Sequence, residues 1–455
     1  SPAPSGAVPR MEMQALPHGP LEGEARPPGD KSISHRALML AALAVGENRI
    51  EGLLEGEDVL ATAGALEALG VPLERRGPGA WTVHGVGAGG LAEPDTVLDL
   101  GNAGTGARLL MGILAGHPFT SFLSGDASLR RRPMARVAEP LRAMGAAILA
   151  RSGDRLPAAI TGTSRLLPIT WRSKVASAQV KSAILLAGLH APGETTVIEP
   201  LASRDHTERM LAAMGAVVRT APAEGGGVAV TVAGQVELLP QSFTVPADPS
   251  SAAFPAVAAA ALPGSRIRLV GVGLNPSRTG AYTTLAEMGA RIEILERGLA
   301  GGEEVGTLLI EGAELAAVDV PAERAPSMID EYPVLFVAAA RARGRSRFRG
   351  LGELRVKESD RLAVMAEGLA ACGVRCGIEG EDFWVEGGGR PAGGARIDAR
   401  LDHRIAMSFL VLGGLAREGV RVAGAETIAT SFPGFAALMN ALGARIGTLP
   451  EESRG

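Results

Sequence analysis

"ALEALGV" at residues 65–71 returns five times along the chain with small changes. The later copies are "LRAMGAA" (141–147), "LAAMGAV" (211–217), "LAEMGAR" (285–291), "LAACGVR" (369–375) and "MNALGAR" (439–445). In each, apolar residues at helical spacing run into a glycine, and a short β-like piece follows. That pattern predicts a helix end capped by a glycine in the left-handed region. The glycines, Gly70, Gly145, Gly215, Gly289, Gly373 and Gly443, stand 75, 70, 74, 84 and 70 residues apart. So regular a spacing indicates a repeated structural unit.

A second element precedes each phrase: a polar cluster, then an all-apolar run. The copies are "DKSISHRALMLAALA" (30–44), "GNAGTGARLLMGILAG" (101–116), "SAQVKSAILLAGL" (177–189), "DPSSAAFPAVAAAAL" (248–262), "SMIDEYPVLFVAAA" (327–340) and "DHRIAMSFLVLGGLA" (402–416). A helix with no polar face has to be covered on every side. Strand-like pieces such as "WTVHGV" (81–86), "VVRTA" (217–221), "VAVTV" (228–232) and "RIEIL" (291–295) lie between them. The expected fold is α/β, with two domains of three repeats. The first domain is expected over 30–245, and the second over 15–29 plus 246–455, with a flexible tail over 1–14. "VPADPSSAAF" (245–254) reads as a degraded copy of "PPGDKSISHR" (27–36) and marks the second crossing. Buried helices that present their N-termini to a shared cleft would bind anions there.

Composition narrows the function. With 46% apolar and 21% charged residues, the chain has a soluble globular make-up. A net charge of −4 and 3% aromatic residues disfavour a nucleic-acid partner. No apolar run reaches the ~18 residues of a membrane span. The Pro/Gly/Ser-rich start, "SPAPSGAVPRMEMQALPHGP", lacks the apolar segment of a signal peptide. Cys372 and Cys376 are the only cysteines, which leaves no disulfide framework and suggests semi-buried thiols. A cytoplasmic location is expected.

Of 45 basic residues only Lys31, Lys174, Lys181 and Lys357 are lysines. A lysine ammonium can give up a proton where a guanidinium does not, so Lys31 and Lys357 are candidates for chemistry. Lys31, Arg36, Arg108 and Arg404 fall in the polar clusters, and Arg132, Arg204, Lys357 and Arg361 in the further charged stretches "LRRRP", "SRDH" and "VKESDR". Capping needs far fewer, and bidentate arginines suit carboxylate and phosphate groups. Asp330 and Glu358 add carboxylates for general acid–base work. The histidines lack metal-ligand spacing, and His35, His206 and His403 are expected to make structural hydrogen bonds. "GVGAGG" (85–90) matches a nucleotide-binding pattern, but no helix pattern follows it, so a turn is expected.

The chain resembles the 5-enolpyruvylshikimate-3-phosphate synthase family. The motifs that carry the resemblance are "PGDKSISHRA", "GNAGTGAR", "GDASLRRRPM", "SAQVKSA", "RDHTERM", "APSMIDEYP", "RVKESDR", "DHRIAM" and "TSFPGF", spanning 28–435. "SAQVKSA" and "RDHTE" look like the bacterial class II branch. The resemblance implies an inside-out α/β barrel fold with two domains of three βαβαββ repeats. It implies transfer of the enolpyruvyl group of phosphoenolpyruvate to the 5-hydroxyl of shikimate 3-phosphate, by addition and elimination, in a monomer without metal or organic cofactor. Glyphosate is the expected inhibitor, and neither a nucleic acid nor a membrane is an expected partner. By the resemblance, Lys31, Asp330 and Glu358 would be catalytic. Lys31, Ser32, Arg36, Ser177, Ala178, Gln179, Arg204, Asp330 and Lys357 would hold shikimate 3-phosphate. Lys31, Gly104, Arg132, Gln179, Arg361 and Arg404 would hold phosphoenolpyruvate.

Two positions depart from the family's pattern. Thr430 stands where many members carry a phosphoenolpyruvate-binding lysine, and Leu109 where many carry proline. The sister enzyme acting on UDP-N-acetylglucosamine places a functional cysteine on a loop in its first half, whereas no cysteine here precedes Cys372. A non-catalytic anion-binding repeat scaffold would need the arginines but not Lys31, Asp330 and Glu358 together.

Overall fold

A glycine ends each outer helix because the chain has to turn through positive φ there. The six phrase glycines have φ between +82° at Gly373 and +118° at Gly145. A side chain in that region costs about 1–2 kcal/mol. The helices they end are Glu57–Ala68, Ala135–Met144, His206–Ala213, Gly280–Glu287, Arg361–Ala371 and Phe435–Ala441. A strand follows each one. The computed structural model describes residues 10–450.

The apolar runs form six inner helices: Lys31–Leu43, Gly104–Leu114, Ala178–Gly188, Pro249–Ala260, Tyr332–Arg341 and His403–Leu415. Every residue of Pro249–Ala260 and of His403–Leu415 is buried. Six four-stranded sheets accompany them, all built alike. In one, the strands run Asp319–Val320, Gly344–Phe348, Asp382–Gly387, Arg375–Glu379 across the sheet. The first pair is parallel and the other two are antiparallel. A parallel pair needs a crossover, which the inner helix supplies. Outer helix and hairpin complete the βαβαββ repeat.

Three sheets take a strand from far away in the chain. Ser242–Thr244 pairs with Val45–Glu51, and Glu22–Ala25 with Arg266–Gly273, both parallel. Glu12–Leu16 lies between Val420–Ala423 and Arg445–Leu449, antiparallel to both. The flexible tail expected over 1–14 is therefore corrected: Glu12, Met13 and Gln14 are strand residues, held by ladders whose partners lie near the other end of the chain. Residues 1–9 of that expected tail lie outside the described residues.

The chain divides into two units. The Lys31 unit holds Pro28–Pro246 together with Leu299–Glu304. The Arg361 unit holds the chain up to Pro27, Ala247–Gly298 and the chain from Val305 onward. Each has its own apolar core. In the Arg361 unit, Phe336 of an inner helix stacks on Phe383 of a strand, centroids 4.1 Å apart. In the Lys31 unit, a β-carbon on Gly112 would overlap the backbone carbonyl of Ala183 in the neighbouring inner helix. That contact sets how closely the two helices approach. Among the described residues no helix is long and apolar enough to cross a membrane.

Gly112→Ala tests this packing. Alanine favours an isolated helix by about 1 kcal/mol. The overlap with a carbonyl that cannot swing aside should outweigh it, with a net loss of about 1–3 kcal/mol. The urea midpoint should fall, and a midpoint at or above the parent's would refute the close approach.

Candidate active site

The Lys31 helix starts on Asp30, whose carboxylate accepts the Ile33 N–H at 2.8 Å. Lys31 is the first helical residue, and its ammonium pairs with Asp58 in the first turn of the outer helix Glu57–Ala68. Asp58 is 2% exposed and Lys31 15%, so the pair is largely buried. Arg36 is buried and donates to Thr207 Oγ1 at 2.7 Å, Ser182 Oγ at 2.9 Å and the Ser32 carbonyl at 3.0 Å. It ties together the helices that carry Ser32, Ser182 and Thr207.

The Gly104 helix starts differently, because no side chain caps it. Two guanidinium groups lie against it instead. A β-carbon on Gly104 would stand 2.6 Å from Arg132 Nη2 and 2.9 Å from Arg108 Nη1. Arg132 donates to the Asn102 carbonyl at 3.1 Å. Arg108 donates to Gln179 Oε1 at 2.9 Å, and Gln179 Nε2 donates to Thr105 Oγ1 at 2.9 Å. An uncapped helix start beside two arginines can receive a phosphate or carboxylate.

The third inner helix of this unit is capped by Ser177, and its first residue is Ala178. Glu199 accepts the Ser177 N–H at 2.8 Å and the Ser203 hydroxyl at 2.6 Å. Lys181, 2% exposed, lies 2.9 Å from Glu208 and 3.5 Å from Glu199. It also donates to the Arg204 carbonyl at 2.9 Å. Lys181 is thus a strut that holds the loop bearing half-buried Arg204 to the helix bearing Ser177, Ala178 and Gln179. His206 pairs at 2.6 Å with Glu303, and both are buried.

In the Arg361 unit the centre is Arg361, only 1% exposed. It donates to Asp402 through Nε at 2.9 Å and through Nη2 at 3.2 Å. It also reaches Glu358 at 2.6 Å and Asp330 at 3.4 Å. Asp402 caps the His403 helix, accepting the Arg404 N–H at 3.0 Å and the Ser359 hydroxyl at 2.8 Å. Burial works against the charge on Arg361, but Asp402, Glu358 and Asp330 outweigh it and hold its pKa above the usual arginine value. Arg404 is 4% exposed, and its buried Nη1 has no hydrogen-bond acceptor among the described residues. Such a donor normally has a partner, and here it could be a ligand oxygen. Lys357 and Glu358 are half-buried in the loop between the Gly352–Val356 turn and the Arg361 helix. Thr430 does not replace a lysine's charge: its buried hydroxyl donates to the Thr427 carbonyl at 2.7 Å. Leu109 is buried in the core.

Within the Lys31 unit the structure thus brings Gly104, Arg132 and Gln179 together around Arg108. Within the Arg361 unit it gathers Asp330, Glu358, Arg361 and Arg404 around Asp402. Sequence reasoning missed Asp58, Asn102, Glu199 and Asp402 as supports. Asp402 had a signal, an aspartate directly before an apolar helix; Asp58 had none beyond a place in an outer helix's first turn. The ligand atoms of Glu358, Asp402 and His403 lie within 4.8 Å of one another. Arg361 already occupies both carboxylates, and His403 Nδ1 is 2.5 Å from Ser431 Oγ, so the group does not suit a metal ion.

His35 is buried in the Lys31 helix, with Nδ1 2.8 Å from Thr62 Oγ1. Burial first, then the charges of Lys31 and Arg36, push its pKa well below 6.5. His117 follows the Gly104 helix, where Nδ1–H donates to the Ile113 carbonyl at 2.9 Å and Nε2 accepts the Leu91 N–H at 3.3 Å. Burial lowers its pKa too. His190 is pushed to about 4, by burial and then by His117. Burial raises Cys372 to about 12 and Cys376 to about 11, which leaves both thiols unreactive at neutral pH.

Comparison with known proteins gives a consistent result. A family model described as EPSP synthase (3-phosphoshikimate 1-carboxyvinyltransferase) matches residues 16–439. A 3-phosphoshikimate 1-carboxyvinyltransferase of Rhodospirillum rubrum is 57% identical over 444 residues, 96% of this chain and 98% of that protein. One of Paramagnetospirillum magneticum is 61% identical over 428 residues, 94% of this chain and 96% of that protein. Among solved structures, an EPSP synthase from Acinetobacter baumannii superposes with a TM-score of 0.86 at 44% identity, covering 97% of this chain and all of that one.

The histidines set an acid limit. His35, His117 and His190 are neutral when folded and take up protons on unfolding, because their folded pKa values are depressed. Their contribution to stability is complete above about pH 6.5 and is lost as the pH falls below it, down to about 4 for His190. Each can contribute a slope of up to about 1.4 kcal/mol per pH unit. The urea midpoint should fall between pH 7 and 5, and less steeply in His190→Gln. A flat midpoint over that range would refute the burial of neutral imidazoles.

Proposed function

The chain belongs to the EPSP synthase (3-phosphoshikimate 1-carboxyvinyltransferase) family, and from that premise we infer how its own residues do the work. The enzyme transfers the carboxyvinyl group of phosphoenolpyruvate to the 5-hydroxyl of shikimate 3-phosphate, in the shikimate pathway. In the addition step the hydroxyl oxygen bonds to C2 of phosphoenolpyruvate, its proton is removed, and C3 gains a proton. In the elimination step C3 returns a proton and the C2–phosphate bond breaks, releasing inorganic phosphate.

The observation that supports the residue roles best is the pair of charged clusters at inner-helix starts, one of arginines against Gly104 and one of arginines and carboxylates around Asp402. On our reading Asp330, 3.4 Å from Arg361 Nη1, accepts the 5-hydroxyl proton. Lys31 and Glu358 handle the proton at C3. Asp58 aims the Lys31 ammonium, and Arg361 aims Glu358. Arg132, Arg361 and Arg404, with Gly104, Lys31 and Gln179, hold phosphoenolpyruvate. The unpartnered Nη1 of Arg404 suits one of its oxygens. Lys31, Ser32, Arg36, Ser177, Ala178, Gln179, Arg204, Asp330 and Lys357 hold shikimate 3-phosphate. Lys31 and Gly104 belong to one unit, and Asp330, Glu358 and Arg361 to the other. We further propose the class II branch, a cytoplasmic location, a monomer, and glyphosate as an inhibitor competing with phosphoenolpyruvate.

The reading predicts phosphate release from phosphoenolpyruvate that depends on shikimate 3-phosphate. Equal release without shikimate 3-phosphate, or none with it, would overturn the assignment. Gly104→Ala gives a second check. The added methyl would press on Arg132 Nη2, 2.6 Å away, and narrow the pocket at the helix start. Glyphosate, longer than phosphoenolpyruvate, should lose more affinity than the substrate, by roughly 1–3 kcal/mol. The ratio of inhibitor constant to KM for phosphoenolpyruvate should rise; an unchanged ratio would show that Gly104 does not face the inhibitor.

A further inference from the structure

We propose that Arg151 and Arg155 are positioning residues for phosphoenolpyruvate binding: they clamp the peptide that carries Arg132. The inference rests on the reading of Arg132 as a phosphoenolpyruvate contact.

Arg132 follows the short helix Ala127–Arg131 as its C-cap, with φ −82° and ψ 129°. A helix of five residues cannot hold its own shape, because nucleation is unfavourable and too few internal bonds follow. Its geometry has to be imposed from outside. Asp126 does this at the N-terminus, accepting the Leu129 N–H at 2.8 Å. At the C-terminus the Leu129 carbonyl accepts the Arg132 N–H at 3.1 Å, and the carbonyls beyond it need donors from outside the helix. Here arginines supply them. Arg151 Nη2 donates to the Arg130 carbonyl at 2.6 Å. Arg155 Nε donates to the Arg131 carbonyl at 3.1 Å. On the far side Arg108 Nη2 donates to the Pro133 carbonyl at 3.3 Å. The carbonyls of 130, 131 and 133, which flank Arg132, are each gripped by a guanidinium group.

The clamp is itself braced. Arg151 and Arg155 sit at the two ends of the turn joining strands Ala147–Arg151 and Arg155–Thr161. Arg151 Nε donates across that hairpin to the Leu156 carbonyl at 3.1 Å. The Asp154 carbonyl accepts the Met134 N–H at 2.8 Å, and the Asp154 carboxylate is held by Arg142 at 2.8 and 3.1 Å. Cations are also favoured at a helix C-terminus by its dipole. Arg151 and Arg155 are exposed while Arg132 is buried, so the pair works through backbone rather than by filling the core. Anion capture needs the guanidinium in place before the ligand arrives, and small misplacements are expensive.

The test uses the full-length enzyme with Arg151→Gln, Arg155→Gln and the double variant. Loss of two charge-assisted tethers should raise the KM for phosphoenolpyruvate about tenfold in the double variant, with the KM for shikimate 3-phosphate within about twofold of the parent. The rise should persist in high salt, since it reflects geometry rather than a long-range field. It should also vanish in an Arg132→Gln background, as coupled residues do in a double-mutant cycle. An unchanged KM for phosphoenolpyruvate, equal rises for both substrates, a rise abolished by salt, or full additivity with Arg132→Gln would each overturn the inference. If Arg132→Gln itself leaves that KM unchanged, the assignment of Arg132 falls and the clamp's role with it. If Arg132→Gln raises it and the tether variants do not, the clamp alone is refuted. Should the double variant lose its fold, Arg155→Gln alone decides the matter, with a KM rise of about threefold expected and no rise overturning the proposal.

Discussion

Each repeat is built on a helix that is buried along most of its length, and two of the six are buried from end to end. All thirteen residues of His403–Leu415 and all twelve of Pro249–Ala260 are buried. A charged side chain in the middle of such a helix would have to be neutralised or paired. Polar chemistry is therefore pushed to the helix ends, where backbone N–H groups already face outward with a positive partial charge. The arrangement concentrates Lys31, Ser32 and Arg36 in the opening turns of one helix, Gln179 and Lys181 in another, and Arg404 in a third. Charges that do become buried come with partners: Arg361 with Asp402, and Lys181 with Glu199 and Glu208. Removing one partner of such a pair typically destabilises by about 3–5 kcal/mol, which makes these pairs as structural as the core itself.

Six repeats give six helix starts, but they are not equivalent. At the Pro249 helix, Asp248 accepts the Ser250 N–H at 2.7 Å and the Arg278 guanidinium at 3.0 Å. Arg278 is 1% exposed and also donates to Ser250 Oγ, while Tyr282 donates to the Pro249 carbonyl. That start satisfies its charges internally. The Gly104 start has no side-chain cap and two arginines against it. Duplication thus supplied a common frame, and side-chain substitution made some starts self-sufficient and others receptive.

The repeat was legible because only glycine takes the αL turn easily, so the six phrases had to keep it. The inner helices were legible because apolar runs without a polar face admit one environment. Lys31 and Arg404 stood out as charges beside such runs, and Arg132 and Arg361 as charges in other polar stretches. The supports did not. Asp58 acts on Lys31 across 27 positions, and Glu199 acts on Ser177 across 22, with nothing local to announce either pairing. Lys181 looked like its neighbours in "SAQVKSA", and only its burial between two glutamates shows it to be a strut. Glu12–Leu16 was taken partly for tail because five residues carry a weak strand signal, and its two ladders lie with residues more than four hundred positions on.

That last strand constrains the order in which the chain can be assembled. The Lys31 unit has nearly all its residues once Pro246 has been made; only Leu299–Glu304 comes later. The other unit cannot seat Glu12–Leu16 until Arg445–Leu449 exists. During synthesis Glu12–Leu16 therefore waits more than four hundred residues for the neighbours that finally flank it. Closing so long a loop is slow relative to local pairing, so this sheet is the last to complete. Open strand edges invite pairing with other chains. Glu12–Leu16 therefore carries open edges, with the misassociation they invite, until Val420–Ala423 and Arg445–Leu449 have been made.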